Sequence, residues 1–385
     1  RIFANTQLDF SVDAPDANNL SLVHITAATE DSHHLLIVPY PKYNSNDGLT
    51  LKLKIKDSNF LGSMETLSSD VSFVLETKDD EATKYKYGLS FSFDIPFPAG
   101  PFNATWTNSW GGSYTIGDNS PEWNVTTGVI LSLPFDRFSL NWTLKQSAVR
   151  NYDDDYVAYG DDTYYTEYAA FNVPITLQDI DNWGKVYYTP SVAAIYNWDA
   201  NGINKEDDAL SSPVFSFGHS ISTERINWIG NFRQGVSLNV TQSIGYNTQR
   251  YDIVPVVSGE AKIFLAFKYL GMCMDAYAFA SQNSLTKVGE RLRGIKDDQK
   301  YATGNTTIDA SYSTRPDAAI VVNMDMPFHI FTFDFDDSKL FHFLRVFNCE
   351  LQIAPFFDFA LLRNKATGTN FWYKDGFYSG GLEFL

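Results

Sequence analysis

Histidines, cysteines and clustered carboxylates are the residues of this chain that could do bond chemistry. The six histidines are His24, His33, His34, His219, His329 and His342. None stands in a Gly-x-Ser-x-Gly elbow or a His-Glu-x-x-His pair, so neither a serine nucleophile nor a zinc hydrolase is signalled. His33-His34 reads as an exposed pair at the start of a strand. Cys273 and Cys349 cannot form a disulfide framework, lack zinc-site spacing, and read as lipid-facing or buried thiols. The acidic stretch Tyr152-Asp153-Asp154-Asp155-Tyr156, with Asp161-Asp162, offers oxygen ligands that suit calcium. It lacks the loop spacing of a calcium hand and reads as a solvated acidic loop. No Gly-rich loop follows a strand and opens a helix, so nucleotide binding has no support. The expectation is a protein that is not an enzyme and uses no cofactor and no metal.

What remains is architecture. The 385 residues carry 29 Lys+Arg against 46 Asp+Glu, a net charge of −17, which argues against a nucleic-acid partner. No apolar run approaches the roughly 18 residues of a membrane helix. Instead, apolar residues recur every second position. Leu49, Leu51, Leu53 and Ile55 alternate with Thr50, Lys52, Lys54 and Lys56. Leu89, Phe91, Phe93, Ile95 and Phe97 alternate with Ser90, Ser92 and Asp94. Phe138, Leu140, Trp142 and Leu144 alternate with Ser139, Asn141, Thr143 and Lys145. Period two is the mark of a strand with unlike faces, and no stretch shows a helical period. The chain is all-β.

Connections add a second signal. Tight ones, such as Pro96–Pro101, Pro134-Phe135-Asp136 and Leu270-Gly271, alternate with long polar ones at 111–122, 150–163, 199–211, 247–254 and 283–316. Long loops at one end and tight turns at the other are the layout of a transmembrane antiparallel β-barrel. Aromatics bracket many strands as interface girdles would: Phe97, Phe102, Trp106, Trp110, Trp123, Phe135, Phe138, Trp142, Tyr187, Tyr188 and Trp198. Segmentation gives about sixteen strands, with roughly fourteen equally defensible. The polar faces, with Lys52, Lys54, Asp94, Lys145, Asp325 and Glu350, line a wet lumen rather than a packed one. Residues 1–32 read as a periplasmic tail or linker of a preceding domain, and 33–385 as the barrel.

Two stretches and a later motif resemble one family. Residues 35–62 are similar to the opening hairpin of the bacterial surface-antigen barrels, the outer-membrane assembly superfamily of BamA and TamA, with Asn59-Phe60-Leu61-Gly62 as its turn. Leu292-Arg293-Gly294-Ile295, inside the longest loop, resembles the family's Arg-Gly loop hallmark, with Ile295 where an aromatic is usual. Phe356-Phe357-Asp358-Phe359-Ala360 resembles its Phe-x-Asp-x-Gly motif, with Ala360 for glycine. The resemblance implies that Arg293 folds into the lumen against acidic groups of the inner wall. Strand parity independently turns Asp325 and Asp358 inward. Arg293, Gly294, Asp325 and Asp358 are therefore expected to lock the loop. It also implies client outer-membrane proteins as partners, lipids around the wall, and periplasmic domains or accessory proteins that this chain does not carry.

The resemblance implies assembly or translocation through the seam between first and last strands. Pro39 and Pro41 in the first strand each remove a ladder donor, which weakens that seam. The alternatives are a passive outer-membrane channel or transporter, in which the charged lumen selects solutes, and a soluble secreted β-protein whose aromatics bind carbohydrate.

Overall fold

The computed structural model describes residues 3–15, 21–31, 34–44, 48–60, 65–76, 83–117, 121–152, 154–207, 209–282, 284, 286, 288–293, 295, 300–303, 306–309, 316–333, 349–365 and 368–385. Two strands, β1 (Phe3–Val12) and β2 (Val23–Asp31), pair antiparallel as a sheet of their own. A larger sheet begins with β3 (Leu35–Asn44), β4 (Gly48–Asp57), β5 (Leu67–Glu76) and β6 (Lys84–Ala99). It continues through β7 (Phe102–Thr115), β8 (Glu122–Pro134) and β9 (Ser139–Arg150). After a one-turn helix, α1 (Asp154–Val157), come β10 (Thr163–Asn172), β11 (Ile175–Ile180) and β12 (Gly184–Trp198). Next are β13 (Val214–Ile229), β14 (Phe232–Asn247), β15 (Asp252–Ala266) and β16 (Gly271–Ser281). A long connection carries the short hairpin of β17 (Lys300–Thr303) and β18 (Thr306–Asp309). The sheet then resumes with β19 (Ala318–Asp325), β20 (Phe328–Phe333), β21 (Cys349–Asn364), β22 (Thr369–Asn370) and β23 (Phe377–Phe384).

Sequence neighbours pair antiparallel throughout, as in an up-and-down meander. β11 continues β10 along β12, β20 continues β19 along β21, and β22 is a two-residue extension on β21. Sixteen crossings result among the described residues. The strand order comes round as a barrel with β23 beside β3. Among the described residues, however, no residue-by-residue register joins that last pair. Tight turns bear the expected backbone chemistry, with Gly100 and Gly230 at φ +62° and +60° between β6 and β7 and between β13 and β14.

The registers sort every side chain to one wall. Directly opposed residues share a face, so Phe93–Asn108, Trp106–Val129, Leu144–Ala169 and Ala194–Phe215 lie on one side. That side is apolar and open: Leu51 is 46% exposed, Leu144 54% and Phe217 62%. The other face is polar, and its side chains bond across strands: Thr126 with Ser147, Thr166 with Asn197, and Ser132 with Asn141. An apolar exterior around a polar interior is an outer-membrane barrel wall turned to lipid. No helix among the described residues could cross a membrane; the crossings are strands, whose backbone groups the ladders satisfy.

Three expectations change here. Tyr187 pairs with Ser222 and faces the lumen, whereas Tyr188 pairs with Ile221 and faces lipid, so only the second belongs to a girdle. Cys273 opposes Asp325, which puts its thiol on the inner wall rather than towards lipid. Asp161 is not solvated, because the β12–β13 connection covers it and the Asn204 N–H donates to its Oδ2 at 3.2 Å.

Candidate functional site

Inside the barrel one sector breaks the polar rule. Tyr277 and Phe279 of β16, Ala319 and Val321 of β19, and Ala360 and Leu362 of β21 all point inward by register. An apolar patch on a wet wall needs a cover, and the β16–β19 connection supplies one. Its Val288, Leu292 and Ile295 pack on that patch as a small core, with Val288 and Val321 fully buried. Each such apolar side chain taken from water stabilises the docked loop by about 1.5–3 kcal/mol. Ile295, where the resembling family carries an aromatic, is part of this core.

Hydrophobic packing brings the next side chain to the wall. The Arg293 backbone N–H donates to Asp358 Oδ2 at 3.0 Å and its Nε to the same oxygen at 2.8 Å, while Nη2 reaches Asp358 Oδ1. Nη1 donates to Asp325 Oδ1 and lies 3.3 Å from Glu383 Oε2. The guanidinium carbon sits 3.9 Å from the centre of the Phe356 ring. Partial burial works against the charge, but the hydrogen bonds that Arg293 donates to Asp358 and Asp325 outweigh it and raise its pKa above the ordinary value. One arginine thus ties three successive strands, β19, β21 and β23, to the loop. The geometry is a planar fork meeting carboxylates, which a lysine could not reproduce. Gly294 lies outside the described residues.

Sequence reasoning missed two members. Glu383 of β23 is the third carboxylate, hidden because its strand is short and its glycine pair interrupts the alternation. Arg291 is the second arginine: its Nη1 donates to Glu260 Oε1 at 3.1 Å, its guanidinium stacks 3.6 Å over Tyr277, and its carbonyl accepts from Asn323 Nδ2 at 2.7 Å. The apolar patch did have a signal. Ala318-Ala319-Ile320-Val321-Val322 is apolar at five successive positions, so both faces of β19 are apolar there.

The edge strands are the second candidate feature. The Ser58 N–H donates to the His34 carbonyl, which fixes the hydrogen-bonding phase of the β3–β4 ladder. Even-numbered residues of β3 therefore turn their backbone to β4. Leu35, Ile37, Pro39, Pro41 and Tyr43 turn theirs to the opposite edge, the one beside β23, and two of those five have no N–H. On β23, the reciprocal bonds between Gln352 and Leu385 set the phase, so Tyr378, Gly380, Leu382 and Phe384 present their backbone to β3.

No group of three His, Cys, Asp or Glu side chains that could hold a metal ion occurs among the described residues. His329 Nδ1 lies 2.7 Å from Glu350 Oε1 on the inner wall, a pair rather than a triad.

No family model and no curated protein matches the chain. Among solved structures it is similar to CdiB from Acinetobacter baumannii, with a TM-score of 0.48 and 9% identity over 98% of this chain and 65% of that one. It is also similar to BamA from Haemophilus ducreyi lacking POTRA domains 1–3, at 0.44 and 14% over 99% and 69%. A third is Wzi, an outer-membrane protein involved in group 1 capsule assembly in Escherichia coli and a carbohydrate-binding β-barrel, at 0.35 and 9% over 90% and 80%. The chain spans about two thirds of the first of these chains, at 65%.

Proposed function

We propose that this chain is the barrel of a BamA/TamA-type factor that inserts or exports other outer-membrane proteins through the β3–β23 seam of a bacterial outer membrane. The observation that carries the reading is the backbone phase of β3. Two of the five residues that face β23 are prolines, so a full ladder cannot form there, whereas β23 keeps all its own donors. An edge with unmet backbone groups templates an incoming strand. The loop lock serves this reading: Arg293 holds β23 from inside through Glu383, so β23 stays in place while the pairing beside it opens.

The test is reconstitution. The chain is refolded into phospholipid vesicles, an unfolded outer-membrane barrel is added, and its folding is followed by heat-shifted mobility on a gel. The expected result is faster client folding than in empty vesicles, with small flickering conductance in planar bilayers. A second reading, a passive channel, is favoured by the polar inner wall around Thr126, Ser147, Thr166 and Asn197, remote from the loop. Steady large conductance with no acceleration of client folding would decide for the channel.

A further inference from the structure

One row of the outer wall is polar although it faces lipid. Asn108 of β7, Thr127 of β8, Gln146 of β9, Glu167 of β10 and Tyr196 of β12 oppose one another in unbroken register. They share the face of Trp106, Leu144 and Phe215, all open to the outside. The row is knitted together. Thr127 Oγ1 donates to Asn108 Oδ1 at 2.9 Å and accepts from Trp106 Nε1 at 3.0 Å. Gln146 Nε2 donates to Glu167 Oε1 at 2.8 Å, and Trp198 Nε1 approaches the same oxygen at 3.4 Å. Neither Glu167 contact reaches Oε2, and Asn108 Nδ2 is buried with no hydrogen-bond partner among the described residues. A carboxylate and an amide facing hydrocarbon are costly, and neutral neighbours answer only half of their hydrogen-bonding capacity.

Beside the row lies a groove of about 590 Å³. Its floor is Val129, Leu144, Ala169 and Ala194, and its walls are Trp106 on one side and Phe215 on the other. The small side chains of Ala169 and Ala194 between Trp106 and Phe215 make it a trough open to the outside. Its place along the strands is informative. β8 and β10 descend from the long loops, so Thr127 and Glu167 stand on the long-loop side of Val129 and Ala169. One row further out, Tyr165 stacks on Trp198 at 4.5 Å, as a girdle pair does. From the outside inward the wall therefore reads aromatic girdle, polar row, apolar groove. That is the order of headgroup, chain head and chain in an outer-leaflet lipid.

We propose that this face binds an outer-leaflet lipid whose acyl chain lies in the groove and whose chain-head amide N–H or hydroxyl donates to Glu167. A lipid with only ester groups at that depth offers acceptors and no donor, so it leaves Glu167 Oε2 unmet. The site selects amide-linked or hydroxylated chains over esters. A flat protein partner would bridge the recess and leave it empty.

Brominated chains quench tryptophan on contact, and Trp106 forms the groove wall. The chain is refolded in vesicles of dibrominated-chain phosphatidylcholine, and the Trp106 signal is taken as the difference from Trp106→Phe. Non-brominated sphingomyelin, with an amide and a hydroxyl at the chain head, is then compared with non-brominated phosphatidylcholine of the same headgroup. Sphingomyelin is expected to relieve the quenching at a several-fold lower mole fraction, and Glu167→Leu to bring the two curves together. Should that variant lose its heat-shifted gel mobility, Glu167→Met, which also removes the acceptor but keeps the length of the side chain, takes its place with the same expected convergence. Coincident curves in the unmodified chain overturn the proposal. So does an unquenched Trp106, which would mean that protein, such as a second copy, covers the groove.

Discussion

The two edges of β23 are held in opposite ways. Towards β21 it has eight opposed residue pairs and an arginine reaching it through Glu383; towards β3 it meets a strand in which two of the five facing residues are prolines without a donor. A barrel wall has no need of such asymmetry, since uniform ladders would close it more tightly. On the proposed function, the difference is between an edge that resists opening and one that yields. The strong edge is built by tertiary contacts from a distant loop, and the weak edge by two local residues.

The largest expected effect comes from breaking the strong edge. Arg293→Ala leaves the wholly buried Asp358 without its counter-charge and should destabilise the docked loop by about 3 kcal/mol. The measurement is the temperature at which heat-shifted gel mobility is lost; an unchanged temperature would mean that the lock does not hold the barrel. Leu292→Ala, which empties part of the small core, should cost about 2–3 kcal/mol by the same readout while leaving the charges in place. If it costs nothing, the loop is held by charge alone.

The weak edge can be sharpened instead. Replacing Pro39 and Pro41 together by valine returns two donors and should add about 1 kcal/mol of ladder for each bond formed. Amide exchange at Ile37 and Tyr43 would slow, and client folding in vesicles would slow with it. Slower exchange with unchanged client folding would separate the seam from the function. Glu383→Gln should have a smaller effect, about 1 kcal/mol or less, read as faster exchange in β23 with the Asp358 contacts preserved.

The smallest effect lies away from both edges, in the outer loops. Burial raises the Asp161 pKa, and the nearby Asp207 and Asp199 add to the shift against the Asn204 bond. A raised carboxyl pKa means the packed loop favours the neutral form. Its packing is therefore complete below the ordinary aspartate range and weakens as pH climbs through the raised value. Protection of the Ser211 amide of the covering connection, which donates to the Asp207 carbonyl, should fall, after correction for intrinsic exchange, as pH rises above the ordinary aspartate range, and Asp161→Asn should flatten that profile.

Much of the barrel was legible in alternation alone. Leu51, Phe93 and Leu144 face lipid because period two leaves them no other wall once their polar neighbours line water. Asp325 and Asp358 could be placed inward by the same parity, and the Arg293 motif pointed at them. Glu383 and Arg291 were not legible, since nothing local says which of many lumen charges a loop will reach. The polar row was invisible for a related reason. Asn108, Thr127, Gln146 and Glu167 look like single interruptions in four separate strands, and only the register lines them up.

By itself, then, the sequence determined the strands, their two faces, the asymmetry of the loops and the missing donors of Pro39 and Pro41, because each depends on residue type and a period of two. The tertiary structure alone decided what meets across distance: which carboxylates receive Arg293, which apolar patch the loop covers, which edge the prolines face, and that five polar residues form one row. Those depend on register and on docking a long loop, where a shift of one residue would exchange the inner wall for the outer.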